Sequence, residues 1–236
     1  MMQLVKAVAS RWFGPERVVD EEAQPGADAR SDSENENADE HALALRRYLF
    51  YFLIPFWFVP GVADWYWHRK TKIENTSGTH ESLTHALMMA IVGVPITAAL
   101  LFEINALVIA TLIAAYFVHE GITYWDVRYA NDRREVPTIE QHTHSFLEML
   151  PFVAASVGIC LAPKQFEAIF GRGPEQPRWY LEPKRPPLNP GYVAAVLGSV
   201  GAFVALPYTE EFVRCYRVDH TLLPHPAPPV RPDCAN

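Results

Sequence analysis

The apolar residues of this chain are gathered into five blocks, and each block is close to the length of a membrane-spanning helix. The blocks cover approximately residues 43–67, 82–102, 104–125, 145–162 and 191–208. A helix needs about 20 predominantly apolar residues to cross a hydrocarbon layer of about 30 Å. The mean hydropathy of −0.02 conceals this segregation, which predicts an all-α, polytopic membrane bundle of four or five transmembrane helices.

The residues near the block ends agree with a membrane location. Tyr and Trp residues lie at both ends of the first block, as they do at lipid–water interfaces. Pro55 and Pro60 predict a kink in that block. Only Glu103 and Asn105 interrupt the join between the second and third blocks, which predicts a tight helical hairpin. The fifth block is rich in Gly and Ala, a composition that favours close helix packing in lipid.

The blocks and the polar segments between them divide the chain into five regions. We predict a disordered acidic tail over residues 1–42, a four-helix membrane domain over 43–162, a proline-rich loop over 163–189, a fifth membrane helix over 190–210 and an extended tail over 211–236. The net charge of −7 comes largely from the first tail, so it indicates nothing about partners. The sequence has no basic, aromatic-interleaved patch, and a nucleic-acid partner is not expected.

Histidines and carboxylates cluster where the blocks begin and end. Six of the nine histidines fall between His68 and His144, each near an Asp or a Glu. The clusters lie at the exit of the first block, the entrance of the second, the exit of the third and the entrance of the fourth. Helices that cross a membrane alternately place these four ends on the same face. The sequence therefore predicts that the four clusters converge in one layer.

Helical spacing and the cost of burying charge indicate a metal site in this layer. Asp64 with His68, and Glu81 with His85, are each four residues apart and share a helix face. Ionisable groups at membrane depth are costly unless they pair or bind a cation, and imidazole with carboxylate suits iron, zinc or manganese. The predicted metal ligands are His68, Glu81, His85, His119, Asp126, Glu140, His142 and His144. The residues predicted to orient these ligands are Asp64, Glu74, His80 and Glu148.

Other interpretations of the same residues stay open. Nearby arginines can neutralise the carboxylates with no metal present, and the candidates are Arg69, Arg128, Arg133 and Arg134. A haem would need two ligating histidines in mid-membrane and no carboxylates, so the number of carboxylates argues against it. The HEGIT segment that begins at His119 is not the HExxH motif of zinc proteases, because residue 123 is threonine.

Histidine clusters at helix ends on two membrane hairpins resemble the membrane fatty-acid desaturase and hydroxylase superfamily. The resemblance covers roughly residues 48–162 and is one of architecture. The family's boxes follow HxxxH and HxxHH patterns, whereas this chain has no adjacent histidines and places carboxylates where the family has histidines. The resemblance implies a di-iron site that activates oxygen and acts on a lipid-like substrate.

The function predicted from the sequence is a membrane-embedded, metal-dependent oxidoreductase, a hydroxylase or desaturase of a lipid or another hydrophobic molecule. The alternatives are a non-enzymatic metal- or haem-binding assembly subunit and a metal-dependent lipid hydrolase. The expected partners are the lipid bilayer, a hydrophobic substrate and an electron-donor protein. The turn at Glu103 has no basic residue, which favours a cytoplasmic location for the opposite face that carries the clusters, at the inner membrane if the source is bacterial.

Overall fold

The computed structural model describes residues 27–221, and regular structure within that range is helical apart from a single bridge between Phe102 and Pro183. The helices are α1 (Ala27–Arg47), α2 (Ile54–Thr71), α3 (Gly78–Leu101), α4 (Ala106–Asn131), α5 (Thr138–Leu161), α6 (Pro163–Ile169), α7 (Pro190–Val200) and α8 (Leu206–Thr221). A 3₁₀ turn at Ile73–Asn75 joins α2 to α3. The prediction of an all-α bundle is confirmed.

Five continuous helical segments are long and apolar enough to cross a membrane. These segments are Asp39–Thr71, Gly78–Leu101, Ala106–Asn131, Thr138–Leu161 and Pro190–His220. Their order along the chain places the ends of α2 and α4 beside the beginnings of α3 and α5. The candidate ligands lie at these ends of the helices.

The first and the fifth segments each contain a π-helical turn, at Tyr48–Leu53 and at Gly201–Ala205. A proline follows each turn, Pro55 in the first case and Pro207 in the second. Proline lacks the backbone donor for the carbonyl four residues earlier, and its ring crowds that carbonyl. In both cases this carbonyl lies within the π turn, so we attribute the widened turns to the prolines.

The largest apolar core lies in the half of the bundle away from the candidate ligands. It is built from the π turn before α2, the C-terminal halves of α3 and α5, and α7. Its buried members are Leu49, Phe50, Leu53, Ile54, Leu100, Leu150, Ala154, Val157 and Val196. Because this packing involves none of the polar cluster residues, it holds the helices together independently of them.

The loop between α6 and α7 covers the tight turn between α3 and α4. The backbone N–H of Glu103 donates to the Glu182 carbonyl at 2.8 Å, and the Asn105 side chain donates to the Tyr180 carbonyl at 2.8 Å. Asn105 also caps α4, because its side-chain oxygen accepts from the Val108 N–H at 3.2 Å. These bonds satisfy the polar groups that the hairpin exposes at this end of the bundle.

Helix α8 is attached at the opposite end of α3 through Asp219. The Asp219 carboxylate accepts from the backbone N–H of Thr79 at 2.9 Å and also from the Thr79 hydroxyl. Gly78 adopts a left-handed conformation with φ of +64°, and an added Cβ there would lie 3.0 Å from Asp219 Oδ1. A residue without a side chain is therefore required where α8 docks on the start of α3.

Gly78→Ala is expected to lower the free energy of unfolding by about 1–2 kcal/mol, the cost of a Cβ on a left-handed backbone. Thermal unfolding of the detergent-purified protein measures this effect. Gly121→Ala is the control, because nothing lies within 4 Å of an added Cβ there and the residue is inside a helix. Equal stability of the two variants would contradict the docking role of Gly78.

The structure differs from two of the predicted regions. Residues 27–42 belong to α1 rather than to a disordered tail, although the described side chains from 36 to 41 in this segment are largely exposed, as the composition predicts. Helix α8 continues to Thr221, so the fifth segment is longer than 190–210 and residues 211–221 are not extended. In both places an apolar helix has already formed, and extending it costs little. Residues 1–26 and 222–236 lie outside the described residues.

Candidate metal centre

The ends of four helices, together with α8, bring a set of ionisable side chains into one buried cluster. Helix α2 gives Asp64 and His68 from its last two turns, and α5 gives Glu140 and His144 from its first two turns. The remaining members are Glu81 and His85 of α3, Asp126 of α4 and Glu211 of α8. His68, Glu140 and Glu211 are all 0% exposed, and His144 is 14% exposed at the side chain.

In this cluster, each of two histidine nitrogens lies within 4 Å of each of two carboxylate oxygens. His68 Nε2 lies 3.5 Å from Asp64 Oδ1 and 3.5 Å from Glu140 Oε1. His144 Nε2 lies 3.2 Å from Asp64 Oδ1 and 3.9 Å from Glu140 Oε1. Two groups, Asp64–His68–His85 and His68–Glu140–His144, each have candidate ligand atoms within 4.8 Å of one another. The buried cluster can therefore hold a metal ion.

Two of these atoms are buried and lack a hydrogen-bond partner among the residues that the structure describes. They are Asp64 Oδ1 and His68 Nε2, which face each other. A buried polar atom without a partner costs about 1–3 kcal/mol, and a cation between the two atoms would remove that cost for both. Two imidazoles and two carboxylates form a donor set that suits iron, zinc or manganese.

Helix α8 supports this donor set from behind. Glu211 Oε2 lies 2.9 Å from His68 Nδ1, which leaves Nε2 of the same ring directed at the candidate centre. The Tyr208 hydroxyl donates to Asp64 Oδ2 at 3.1 Å and so orients the other oxygen of that carboxylate. Carboxylate–histidine–metal arrangements of this kind fix the tautomer and direction of a ligand.

Glu211 and Tyr208 are the residues of the candidate centre that the sequence analysis did not predict. The apolar block ends at Tyr208, charged residues such as Glu210 and Glu211 follow it, and the proline-rich end of the chain predicts an extended tail from residue 211 onward. One signal was present in the spacing. Tyr208, Glu211 and Cys215 recur at three and four residues, as one face of a continuing helix does, and all three are buried.

His85 lies between two carboxylates rather than opposite an open position. Its Nε2 is 3.1 Å from Asp126 Oδ2, and its Nδ1 is 3.3 Å from Glu211 Oε1. Its ring stacks on His68 with ring centroids 4.6 Å apart. Both ring nitrogens are therefore engaged, and His85 would bind a metal only by giving up one of these contacts.

Arg134, in the turn between α4 and α5, binds Glu81 and Glu140 together. Its Nε and Nη2 contact the two oxygens of Glu81 at 3.2 and 2.5 Å. Its Nη1 lies 3.1 Å from Glu140 Oε2, and its Nη2 also bonds Glu140 Oε1. Burial lowers the pKa of Arg134, but these carboxylates outweigh burial and raise the pKa above its ordinary value. The alternative in which an arginine neutralises a buried carboxylate without a metal is therefore what the structure has for Glu81 and for the Arg134 side of Glu140.

His119 lies beside the cluster but outside both ligand groups. It is buried, and its Nδ1 is 3.4 Å from the hydroxyl of Thr123. A small cavity of about 20 Å³ separates it from the cluster, and the cavity walls include Asp64, His85 and His144. His119 therefore faces the space next to the candidate centre. The predicted orienting residue Glu148 lines the same cavity.

Three other predicted residues are placed elsewhere by the structure. His142 is exposed and packs edge-on against Phe146, with ring centroids 5.2 Å apart. It is two positions from both Glu140 and His144, so a helix that starts at Thr138 turns it away from the face that those two share. His80 is exposed and stacks on Tyr129.

Glu74, predicted to orient a ligand, forms an ion pair with Arg214 of α8. It lies in the 3₁₀ turn that joins α2 to α3, so it cannot follow the helical spacing that places Asp64 and His68 on one face. The Glu74–Arg214 pair attaches α8 to this turn. Its role is therefore in docking α8.

Comparison with known proteins gives no match for this chain among family models, curated proteins or solved structures. The resemblance to the desaturase and hydroxylase superfamily stays a prediction.

Proposed function

We propose that this protein is a membrane-embedded, metal-dependent oxidoreductase that acts on a hydrophobic substrate. The observation that carries the proposal is the facing pair of buried atoms without a hydrogen bond, Asp64 Oδ1 and His68 Nε2, which have His144 and Glu140 as ionic neighbours. Two histidines with a carboxylate and open positions are typical of non-haem iron sites that use dioxygen. Iron would supply the oxygen chemistry, and zinc and manganese are the alternatives.

The burial of the cluster favours oxidation over hydrolysis. Asp64, His68 and Glu140 are at most 2% exposed, and His144 is the only one of the four candidate ligands that borders the polar cavity described below, so water reaches the centre from one side only, whereas a hydrolase needs water as its second substrate at the metal. Exclusion of water protects reactive species and strengthens electrostatic interactions. The stacking of His68 on His85 at 4.6 Å leaves no room for a porphyrin between them, which counts against a haem-binding role.

An apolar groove in the membrane half of the bundle supports a hydrophobic substrate. The groove has a volume of about 110 Å³ and lies between α2, α3 and the fifth segment. Its lining residues are Ile54, Trp57, Phe58, Gly61, Met89, Val92, Gly93, Ile96, Thr97, Leu100, Val196, Leu197, Val200 and Val204. The Thr97 hydroxyl and the Trp57 indole N–H are the only polar side-chain groups among these lining residues, so the groove suits an apolar occupant.

Two walls of this groove, α2 and α3, lead directly to the candidate centre. One helical turn beyond Gly61 on α2 lies Asp64, and one turn before Met89 on α3 lies His85. Met89 also lines the small cavity beside the cluster, so the groove and the cavity share a wall. A molecule in the groove would thus present one end to the centre.

A polar cavity of about 240 Å³ approaches the cluster from the other side. Its walls include Asn131, Gln141 and Ser145 together with the cluster residues Asp126 and His144. It lies at the loop between α4 and α5, where a membrane helix meets water. This cavity supports access for the metal ion and for protons, and its face is where an electron-donor protein would dock. We propose that this face is cytoplasmic, on the charge distribution described above.

Reductant-dependent oxygen uptake in proteoliposomes containing lipid extract tests the oxidoreductase proposal. We expect uptake in protein reconstituted with iron and none in protein reconstituted with zinc. Product analysis of the lipids by mass spectrometry identifies the molecule that is oxidised. Equal lipid hydrolysis with either metal, and no oxygen uptake, would replace the proposal with the hydrolase alternative.

Gly93→Leu is expected to reduce turnover at least about 10-fold while leaving the bound metal in place. Nothing lies within 4 Å of an added Cβ at Gly93, and Gly93 lines the groove, so a leucine side chain there should extend into the groove and occupy it. Gly198→Leu is the matched control, since an added Cβ there also meets nothing and Gly198 does not line the groove. A difference of about 1.4 kcal/mol in transition-state stabilisation corresponds to this factor. Equal activity of the two variants would show that the groove does not hold the substrate.

A further inference from the structure

We propose that the centre holds one metal ion and that the Arg134 guanidinium fills the place of a second cation. The inference rests on the proposed metal centre and sets its nuclearity. It differs from the di-iron site that the resemblance implies. Two observations support it. Arg134 lies between Glu81 and Glu140, and few of the candidate metal-ligand atoms lack a hydrogen-bond partner.

Glu140 links the candidate metal position to Arg134. Its Oε1 lies 3.5 Å from His68 Nε2 on one side and bonds Arg134 Nη2 on the other. Glu81 lies beyond Arg134 and binds it through both oxygens. In dinuclear carboxylate bundles, glutamates of facing helices join two metal ions. Here the same kind of carboxylate joins one candidate metal position to a guanidinium, which is a permanent cation.

The remaining donors that a second metal would need are already engaged. His85 contacts Asp126 through one ring nitrogen and Glu211 through the other. Asp126 Oδ1 is the third atom of this ionisable cluster that is buried and lacks a hydrogen-bond partner among the described residues. It belongs to neither group of candidate ligand atoms, so it offers a single oxygen and not a second site. The unsatisfied atoms that face each other therefore define one position.

The charges of the cluster are also matched locally by this arrangement. Arg134 lies between two carboxylates, His85 lies between two carboxylates, and a single metal ion would lie beside Asp64. Each buried carboxylate then has a partner that is positively charged or donates a hydrogen bond, which the burial of such groups requires. A second divalent ion would have to displace Arg134 from a site where it makes four hydrogen bonds.

Titration with Co²⁺ of the full-length, detergent-purified protein measures the number of ions bound. We expect one equivalent for the wild type and for Arg134→Lys, which keeps the charge. We expect two equivalents for Arg134→Met, because Glu81 and Glu140 are then free to bind a second ion. Arg133→Met is the matched control and should stay at one equivalent, since Arg133 lies over the Tyr129 ring at 3.5 Å and bonds the Tyr129 carbonyl.

Two results would overturn the proposal: two magnetically coupled Co²⁺ ions in the wild type, or a ratio that stays at one in Arg134→Met. If Arg134→Met does not fold, the double variant Arg134→Met with Glu81→Gln removes a cation and a carboxylate together, and it should fold and bind one equivalent. A wild-type ratio of two would by itself still decide against the proposal.

The metal ratio and the oxygen uptake also separate this proposal from the proposed function. Two equivalents with oxygen uptake would refute the single-ion centre and keep the oxidoreductase. One equivalent of metal without oxygen uptake would keep the single-ion centre and refute the oxidoreductase proposal.

Discussion

His144→Ala is expected to weaken metal binding by more than about 100-fold while the protein remains folded and inserted in the membrane. Loss of a residue that merely supports a metal ligand costs about 10–100-fold in affinity, and His144 is proposed to be a ligand itself. Its side chain is 14% exposed and borders the polar cavity, so water can fill the space that alanine leaves. The apolar core in the other half of the bundle is untouched by the change.

The measurement is the metal-to-protein ratio after dialysis, followed by competition with a chelator of known affinity. His142→Ala is the matched control, because it removes an imidazole from the same helix two residues away. His142 is exposed and contacts Phe146 rather than the cluster. Equal metal loss in the two variants would mean that the metal is not held between His144 and its buried neighbours.

A cluster of ion pairs without a metal predicts a different outcome for the same variant. His144 Nε2 lies 3.2 Å from Asp64 Oδ1, so alanine would then leave a buried carboxylate oxygen without that contact and destabilise the fold. A chelator separates the two cases. If a metal is bound, the chelator lowers the melting temperature of the wild type, because an ion that binds the folded state stabilises it. It should have little effect on His144→Ala.

The layer of candidate ligands could be predicted because membrane crossing imposes a simple rule on the chain. Helices that alternate in direction must bring the exit of α2 beside the entrance of α3, whatever the details of packing. Pairs four residues apart, such as Asp64 with His68, then have to share a face. Those two constraints are local and need no knowledge of how the helices pack.

The interactions within the layer could not be predicted, because they depend on contacts between residues far apart in the sequence. The partner of Glu81 is Arg134, and the choice among four nearby arginines is made by the turn between α4 and α5. His142 and His144 are close in sequence, but the start of α5 decides which of them faces inward. Glu211 lies 143 residues from His68 along the chain. A prediction from hydropathy alone ends the fifth helix at residue 210, just before Glu211.

Glu211→Ala is expected to lower the free energy of unfolding by about 3–5 kcal/mol, the cost of removing one partner of a buried ionic interaction. Glu211 is 0% exposed and contacts the Nδ1 atoms of both His68 and His85, at 2.9 and 3.3 Å. Alanine leaves two buried ring nitrogens without a partner and removes one of the contacts that tie α8 to α2 and α3. Thermal unfolding in detergent and the amount of protein in the membrane measure the loss. Glu210→Ala is the neighbouring control and should cost less, about 1–2 kcal/mol, because Glu210 is 36% exposed and its contacts with Arg69, Arg214 and the Trp65 indole are only partly buried.

Glu211→Gln separates the structural role of this residue from its effect on the metal. The amide keeps the shape and one acceptor oxygen, so the fold should survive, but it no longer presents two carboxylate oxygens to two histidines. Metal affinity should then fall about 10–100-fold, as it does when a group that orients a metal-binding histidine is changed. Competition with a chelator measures that affinity in the folded variant. If Glu211→Ala proves as stable as Glu210→Ala, then α8 is not held by the cluster, and its carboxylate does not direct His68 toward the metal.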